Sequence, residues 1–169
     1  MTTLRQKLFA LSEDQFSLEG IQILPIQDDW DLWYAVVECT LSPEQTRNVN
    51  PAGFSIGRAY LKPESNIPCI IWKGDMRIGY IVLRKWSDGN ANSWSYYLDK
   101  NQQGYGYGRT AATLAVRILK AADPDTPIKL SAELANTKAH HLYTSIGFQQ
   151  TGETDGDDLI FEYIEVISK

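Results

Sequence analysis

Three alternating glycines, Gly104, Gly106 and Gly108, stand between an aromatic run at 94–98 and an alanine-rich run at 110–122. Without Cβ atoms the backbone there is free to take positive φ and to lie close against a ligand. A helix beginning at Gly108 adds unpaired N–H groups and a partial positive charge, so strand, glycine loop and helix together form a cradle for an anion. The usual nucleotide loops do not fit: the spacing is Gly-x-Gly-x-Gly far from the start of the chain, and Gly108 is followed by Arg109-Thr110 where a P-loop needs Lys-Ser/Thr. A second group lies further on. Asn136, His140 and Tyr143 fall at i, i+4 and i+7, one face of a helix. A phenol with a reference pKa near 10 keeps its proton at neutral pH and can give it to a leaving group.

These residues need a frame. Trp94, Tyr96 and Leu98 alternate with Ser95 and Tyr97, as in a strand, and Arg109, Thr113 and Arg117 recur every four residues, as in a helix that Pro124 stops. Ahead of them the pattern predicts a leading amphipathic helix within 3–16, a strand over 18–26, and a helix capped by Asp28-Asp29. A second helical region starts at Ser42-Pro43-Glu44-Gln45, breaks near Pro51 and resumes to Leu61, and a hairpin over 67–73 and 77–86 turns at Gly74-Asp75. Behind them come a strand over 128–133, a helix over 136–145, and strands over 147–152 and 158–166. This order describes a single α/β domain over 1–169, with a mixed sheet and helices on its faces. The purpose of residues 1–16 is not legible.

At 169 residues, 43% apolar and 22% charged, the chain can bury its own core without metal or disulfide support. Cys39 and Cys69 lie in apolar stretches without metal-ligand spacing and read as reduced core thiols; His140 and His141, the only histidines, lack further ligands, so no metal is expected. A net charge of −5 without a Lys/Arg cluster argues against nucleic acid, and no apolar run is long enough to span a bilayer. With no apolar leader either, a cytoplasmic location is the expectation.

Gln103-x-x-Gly106-x-Gly108 between a strand and a helix resembles the pyrophosphate motif of the GCN5-related N-acetyltransferases (GNAT). Asn136-x-x-Ala139-x-x-Leu142-Tyr143 with Gly147-Phe148 resembles the second signature of that family. The resemblance covers roughly 18–166. It implies a mostly antiparallel central sheet with a V-shaped splay between the strands at 94–98 and 128–133, and acetyl-CoA as co-substrate. It also implies that Tyr96, Tyr97 and Leu98 hold the pantetheine as an extra strand would, and that Gln103, Gly104, Tyr105, Gly106, Tyr107, Gly108 and Arg109 hold the pyrophosphate. Asn136 and Tyr143 would contact the cofactor, with Tyr143 protonating the departing thiolate.

The acceptor would be a primary amine, which must lose a proton before it attacks; Glu133 or an ordered water would take it. Within the family, 41–86 is similar to bacterial spermine/spermidine acetyltransferases, and the acidic residues Glu153, Asp155, Asp157 and Asp158 suit a polyamine. An aminoglycoside, an amino acid or a protein N-terminus stays open as acceptor, as does a non-catalytic acetyl-CoA sensor. Two residues depart from the pattern: Tyr105 stands where the family commonly has Lys or Arg, and Ser95 where the polyamine group usually has Arg. Arg109 would partly replace the missing cation. The family often dimerises, which leaves a homodimer open.

Overall fold

The computed structural model describes residues 1–46 and 49–165. Its larger sheet is antiparallel, in the order β1 (Ser17–Leu18), β2 (Ile21–Pro25), β3 (Asn66–Lys73), β4 (Met76–Lys85) and β5 (Asn92–Leu98). Central strands β3 and β4 are covered on both faces, so their buried residues run almost without a break, as at Cys69, Ile70 and Ile71 and from Tyr80 to Leu83. One face carries α4 (Tyr107–Ala122), whose Ala111, Ala112 and Ala115 are buried; their small side chains bring the helix close to the sheet while Leu114, Ile118 and Leu119 fill the remaining volume. The other face carries α2 (Asp29–Trp33), a single wide turn at Tyr34–Glu38, and α3 (Ala52–Leu61), over a smaller core that includes Tyr34, Ile70, Tyr80 and Val82. Cys39 and Cys69 are buried free thiols, and burial pushes the Cys39 thiol up to about 12.

A second antiparallel sheet has β6 (Lys129–Glu133) and β7 (Phe148–Asp155) on either side of β8 (Asp158–Tyr163). α5 (Thr137–Ser145) links β6 to β7. The two sheets meet at one point: Asn92 and Ile128 form a parallel bridge, and the Asn92 N–H donates to Pro127 O at 2.8 Å. Beyond that bridge β5 and β6 separate, and the edge of β5 from Ser93 to Leu98 has no strand partner among the described residues. This is the expected V-shaped splay between mostly antiparallel strands.

Two expected elements are described only in part, because residues 47–48 and 166 lie outside the described ones. Residues 42–46 form a turn, with the Gln45 and Thr46 N–H groups donating to Ser42 O, and the α3 helix begins only at Ala52. Gln45 closes no capping box because its amide pairs elsewhere, with Gln103. The end of the last strand, expected at Val166, lies outside the described residues; β8 is described to Tyr163.

The leading segment is also shorter as a helix than expected. α1 (Leu4–Phe9) carries a complete capping box from Thr3 and Gln6, and the chain turns again at Glu13–Phe16. Leu4 and Leu8 are nevertheless fully buried in the main core. α1 is pinned from its polar side by Lys7, which ion-pairs with Asp123 at 2.8 Å while Lys85 reaches the same carboxylate at 3.4 Å. Burial alone would raise the Asp123 pKa, but hydrogen bonds from Lys7, Thr126 and Asn92 and the charge of Lys85 outweigh it and hold the carboxyl well below the usual range.

A carboxylate whose pKa is depressed in the folded state stabilises the fold above its unfolded pKa, near 4, and loses that contribution as acid protonates it. Asp123→Ala should therefore cost about 2 kcal/mol at pH 7. Thermal melts should show a fall of about 6 °C, with the gap between variant and wild type narrowing below about pH 4. A constant gap from pH 7 to pH 2 would show that the charge is not the cause.

Candidate active site

The open end of the splay is a cleft of about 790 Å³, lined on one side by Ser95, Tyr96 and Leu98 of β5 and on the other by Ser131, Ala132 and Glu133 of β6. At its mouth lies the glycine loop. Gly104 and Gly106 take φ of +86° and +83°, and Gly106 occupies the N-cap of α4, so no side chain caps that end. A Cβ on either glycine would meet nothing within 4 Å. The N–H groups of Tyr107, Gly108 and Arg109 have no intrahelical partner by the geometry of an α-helix start. Free donors, the helix dipole and open space coincide there, which is the chemistry a diphosphate needs.

β5 is shaped for a close approach on its other side as well. It pairs with β4 so that Gly79 lies opposite Leu98, and a Cβ on Gly79 would come within 2.6 Å of Tyr97 O. Only glycine allows that strand spacing.

The residues singled out in the sequence divide into two groups. Tyr96, Leu98, Gln103, Gly104, Gly106, Gly108, Glu133, Asn136 and Tyr143 all line the cleft. Gln103 does so while its amide is engaged: Nε2 donates to Leu98 O at 3.1 Å, and its amide exchanges hydrogen bonds with that of Gln45 at 2.8 and 3.0 Å. It therefore shapes the loop from behind. Asn136, which lines the cleft, caps α5 by accepting from the Ala139 N–H at 3.3 Å through Oδ1.

Tyr97, Tyr105, Tyr107 and Arg109 have side chains that do not line the cleft. Tyr97 points to the opposite face of the sheet, as the period of a strand requires, and packs beside Tyr80. Exposed Tyr105 lies near Tyr107, ring centroids 5.6 Å apart, and Tyr107 packs against the main core with the Lys73 ammonium 5.6 Å from its ring centroid. The Arg109 guanidinium donates to Ser145 Oγ at 3.0 Å and to Ser145 O at 3.3 Å. It holds the end of α5 against α4 through two neutral acceptors, and its charge remains exposed at the first turn of α4. Any contribution of the three tyrosines to the cradle comes through backbone amides.

Tyr143 is half-buried, its ring set 5.9 Å from Phe148 and 5.7 Å from Phe161 between centroids. Burial pushes its phenol up to about 12, so across the neutral range it is a hydrogen-bond donor. Burial, then the neighbouring Tyr143, raises the Tyr96 pKa, and the Tyr96 hydroxyl donates to Gly108 O at 3.2 Å, which ties β5 to the first turn of α4.

Glu133 has a neighbour that spacing along the chain did not reveal. Antiparallel pairing of β6 with β8 sets Asp158 directly opposite it. Burial first, then the charges of Glu133, Asp155 and Asp157, raises the Asp158 pKa. His140 Nε2 is 2.9 Å from Glu133 O; a carbonyl only accepts, so Nε2 carries the proton and fixes the end of β6 to α5. Arg58 and Arg84 also line the cleft and were not found in the sequence. Arg84 had a signal: it continues the inward face Tyr80, Val82 of β4, where a charged residue is out of place unless it has something to bind. Among the described residues no group of three or more metal-ligating side chains is present, and no helix is long and apolar enough to cross a membrane.

Comparison with known proteins gives the same architecture. No curated protein matches the sequence. Among solved structures the fold is similar to an acetyltransferase from Agrobacterium tumefaciens, with a TM-score of 0.68 and 17% identity over 88% of this chain and 93% of that one. It is similar also to spermidine N-acetyltransferase from Vibrio cholerae in complex with CoA and spermine, with a TM-score of 0.68 and 16% identity over 87% and 96% of the two chains. A third is AAC(6')-Ib in complex with paromomycin and acetyl-CoA, with a TM-score of 0.67 and 17% identity over 85% and 92%. At these identities the likeness is one of fold. The sequence itself matches the model of the acetyltransferase (GNAT) family over residues 29–148, most of the chain, and the protein belongs to that family of acetyl-CoA-dependent acetyltransferases.

Proposed function

We propose that the protein transfers acetyl to a primary amine, with the cofactor entering at the glycine loop and the amine from the side of α3 and the β7–β8 hairpin. The observation that carries this reading is the one-point junction of β5 with β6: it leaves a strand edge free to receive an extended amide chain, with Tyr143 and the Glu133/Asp158 pair lining the gap or standing beside it. Acetyl-CoA supplies the acetyl group as an activated thioester. Tyr96 to Leu98 would receive the pantetheine arm along their free edge, and the N–H groups at 107–109 the diphosphate. Asn136 would hold the cofactor's amides through Nδ2. Tyr143 would donate its proton toward the departing sulfur.

For the base, Glu133 acts together with Asp158. Burial, then the negative charges of Glu133, Asp155 and Asp157, raises the Asp158 pKa, which makes Asp158 a weaker acid and a better proton acceptor than an isolated carboxylate. A pair of carboxylates at the gap favours transfer over a non-catalytic acetyl-CoA sensor.

The pH dependence tests the role of the pair. Activity should rise with pH as Asp158 loses its proton, and Asp158→Asn should lower the plateau of kcat/KM about 100-fold. The acid limb that Asp158 contributes should be absent from the profile of the variant. Superimposable pH profiles for variant and wild type would sink the carboxylate base in favour of water.

A polyamine acceptor draws support from this acidic wall, where Asp155 and Asp158 line the cleft beside Glu133. The opposite wall has a different character.

A further inference from the structure

Across the cleft from the carboxylates, α3 and β4 present two arginines. Arg58 and Arg84 are half-buried and line both the main cleft and a smaller cavity of about 30 Å³ beneath α3, together with Tyr80, Val82 and Ser95. Neither forms an ion pair with a carboxylate among the described residues. The Arg58 guanidinium lies 4.8 Å from the Phe54 ring centroid, and Arg84 lies 5.8 Å from that of Trp86 and donates to Lys85 O at 3.3 Å. Burial, then the charge of Arg58, pulls the Arg84 guanidinium below its ordinary value, with Asp155 opposing from the other hairpin. Two like charges brought together partly out of water, with Asp155 acting on Arg84 but no carboxylate ion-paired to either, are costly unless the site is built to receive an anion.

We infer that the acetyl acceptor is an amine that also carries an anionic group, a carboxylate or a phosphate, bound by Arg58 and Arg84 while its amine faces Glu133 and Asp158. This deepens the acetyl-transfer reading and rests on it. A guanidinium offers a planar fork of donors that matches carboxylate or phosphate oxygens two at a time, and two of them on one wall specify an oxyanion more than general negative charge. The same wall repels a polyamine, whose every nitrogen is cationic, so the cleft has two poles where a polyamine needs one. A zwitterion satisfies both. Its anion anchors the molecule, and the carboxylate pair draws the ammonium into place and takes its proton.

The test uses matched amines that differ only in the anionic group: α-, β- and γ-amino acids against their amides, phosphoethanolamine against ethanolamine, with spermidine alongside. The full chain should show kcat/KM at least about tenfold higher for the anionic member of a pair. Arg58→Gln and Arg84→Gln should each lower that preference about 10- to 100-fold, mainly through the KM of the anionic member. The carboxylate and phosphate arms tell the two anion sources apart. Equal or better turnover of the neutral amines or spermidine by the wild type overturns this inference and leaves acetyl transfer standing. Binding of acetyl-CoA with no turnover of any amine in the panel also overturns it. Absence of acetyl-CoA binding by calorimetry overturns the transfer reading together with it.

Discussion

Tyr143→Phe should lower kcat about 100-fold while acetyl-CoA binds with near wild-type affinity. The substitution removes one oxygen from a ring already held between Phe148 and Phe161, so neither the packing of α5 nor the wall of the cleft is disturbed. What is lost is the proton donor proposed for the leaving sulfur. Because burial pushes the phenol up to about 12, its ionisation should not limit activity anywhere below about pH 11. The expected wild-type profile therefore has no alkaline limb from this residue, and pre-steady-state mixing should show the acetyl-transfer step itself slowed in the variant. A variant with wild-type turnover would mean that water or another group protonates the thiolate. One with weakened cofactor binding and unchanged kcat would make Tyr143 a contact residue alone.

Gly106→Ala should weaken acetyl-CoA binding about 100-fold, by two additive effects. The position has φ of +83°, where a Cβ costs about 1–2 kcal/mol, so the loop relaxes out of its cradle shape. A methyl group would also enter open space at the start of α4, where the diphosphate belongs. Gly108→Ala provides the contrast. Gly108 has ordinary helical φ, and its added Cβ would make normal contacts at 3.5 Å with the Tyr96 hydroxyl and 3.6 Å with Leu98 Cδ1. Thermal melts should show a loss of about 1 kcal/mol for Gly106→Ala and none for Gly108→Ala. Calorimetric titration with acetyl-CoA measures the affinities. Unchanged affinity in Gly106→Ala would mean that the diphosphate does not sit on this loop.

Both of these sites were legible in the sequence because each is local. The glycine loop and the Asn136–Tyr143 helix are short stretches whose residue types and spacing determine their own geometry. The leading segment was half legible: its leucines marked a helix, but only tertiary packing of Leu4 and Leu8, with Lys7 on Asp123, shows that it belongs to the core. The turn at 42–46 had a strong helix-start pattern, which lost to the amide pairing of Gln45 with Gln103, a contact 58 residues away in the chain. Non-local pairing also concealed most of the acceptor side. Asp158 faces Glu133 only through the register of β6 with β8, and Arg58 meets Arg84 only because α3 folds over β4. The contact of Arg109 with Ser145 was hidden for the same reason, since Ser145 comes from another helix.

The central claim is that the gap between β5 and β6 passes acetyl from acetyl-CoA to an amine. Release of coenzyme A thiol, followed with saturating acetyl-CoA in the presence and absence of each amine in the panel, tests it most directly. The account predicts amine-dependent release, with acetylated amine formed in equal amount. Thiol release at the same slow rate with every amine as with none, despite bound acetyl-CoA, would contradict it.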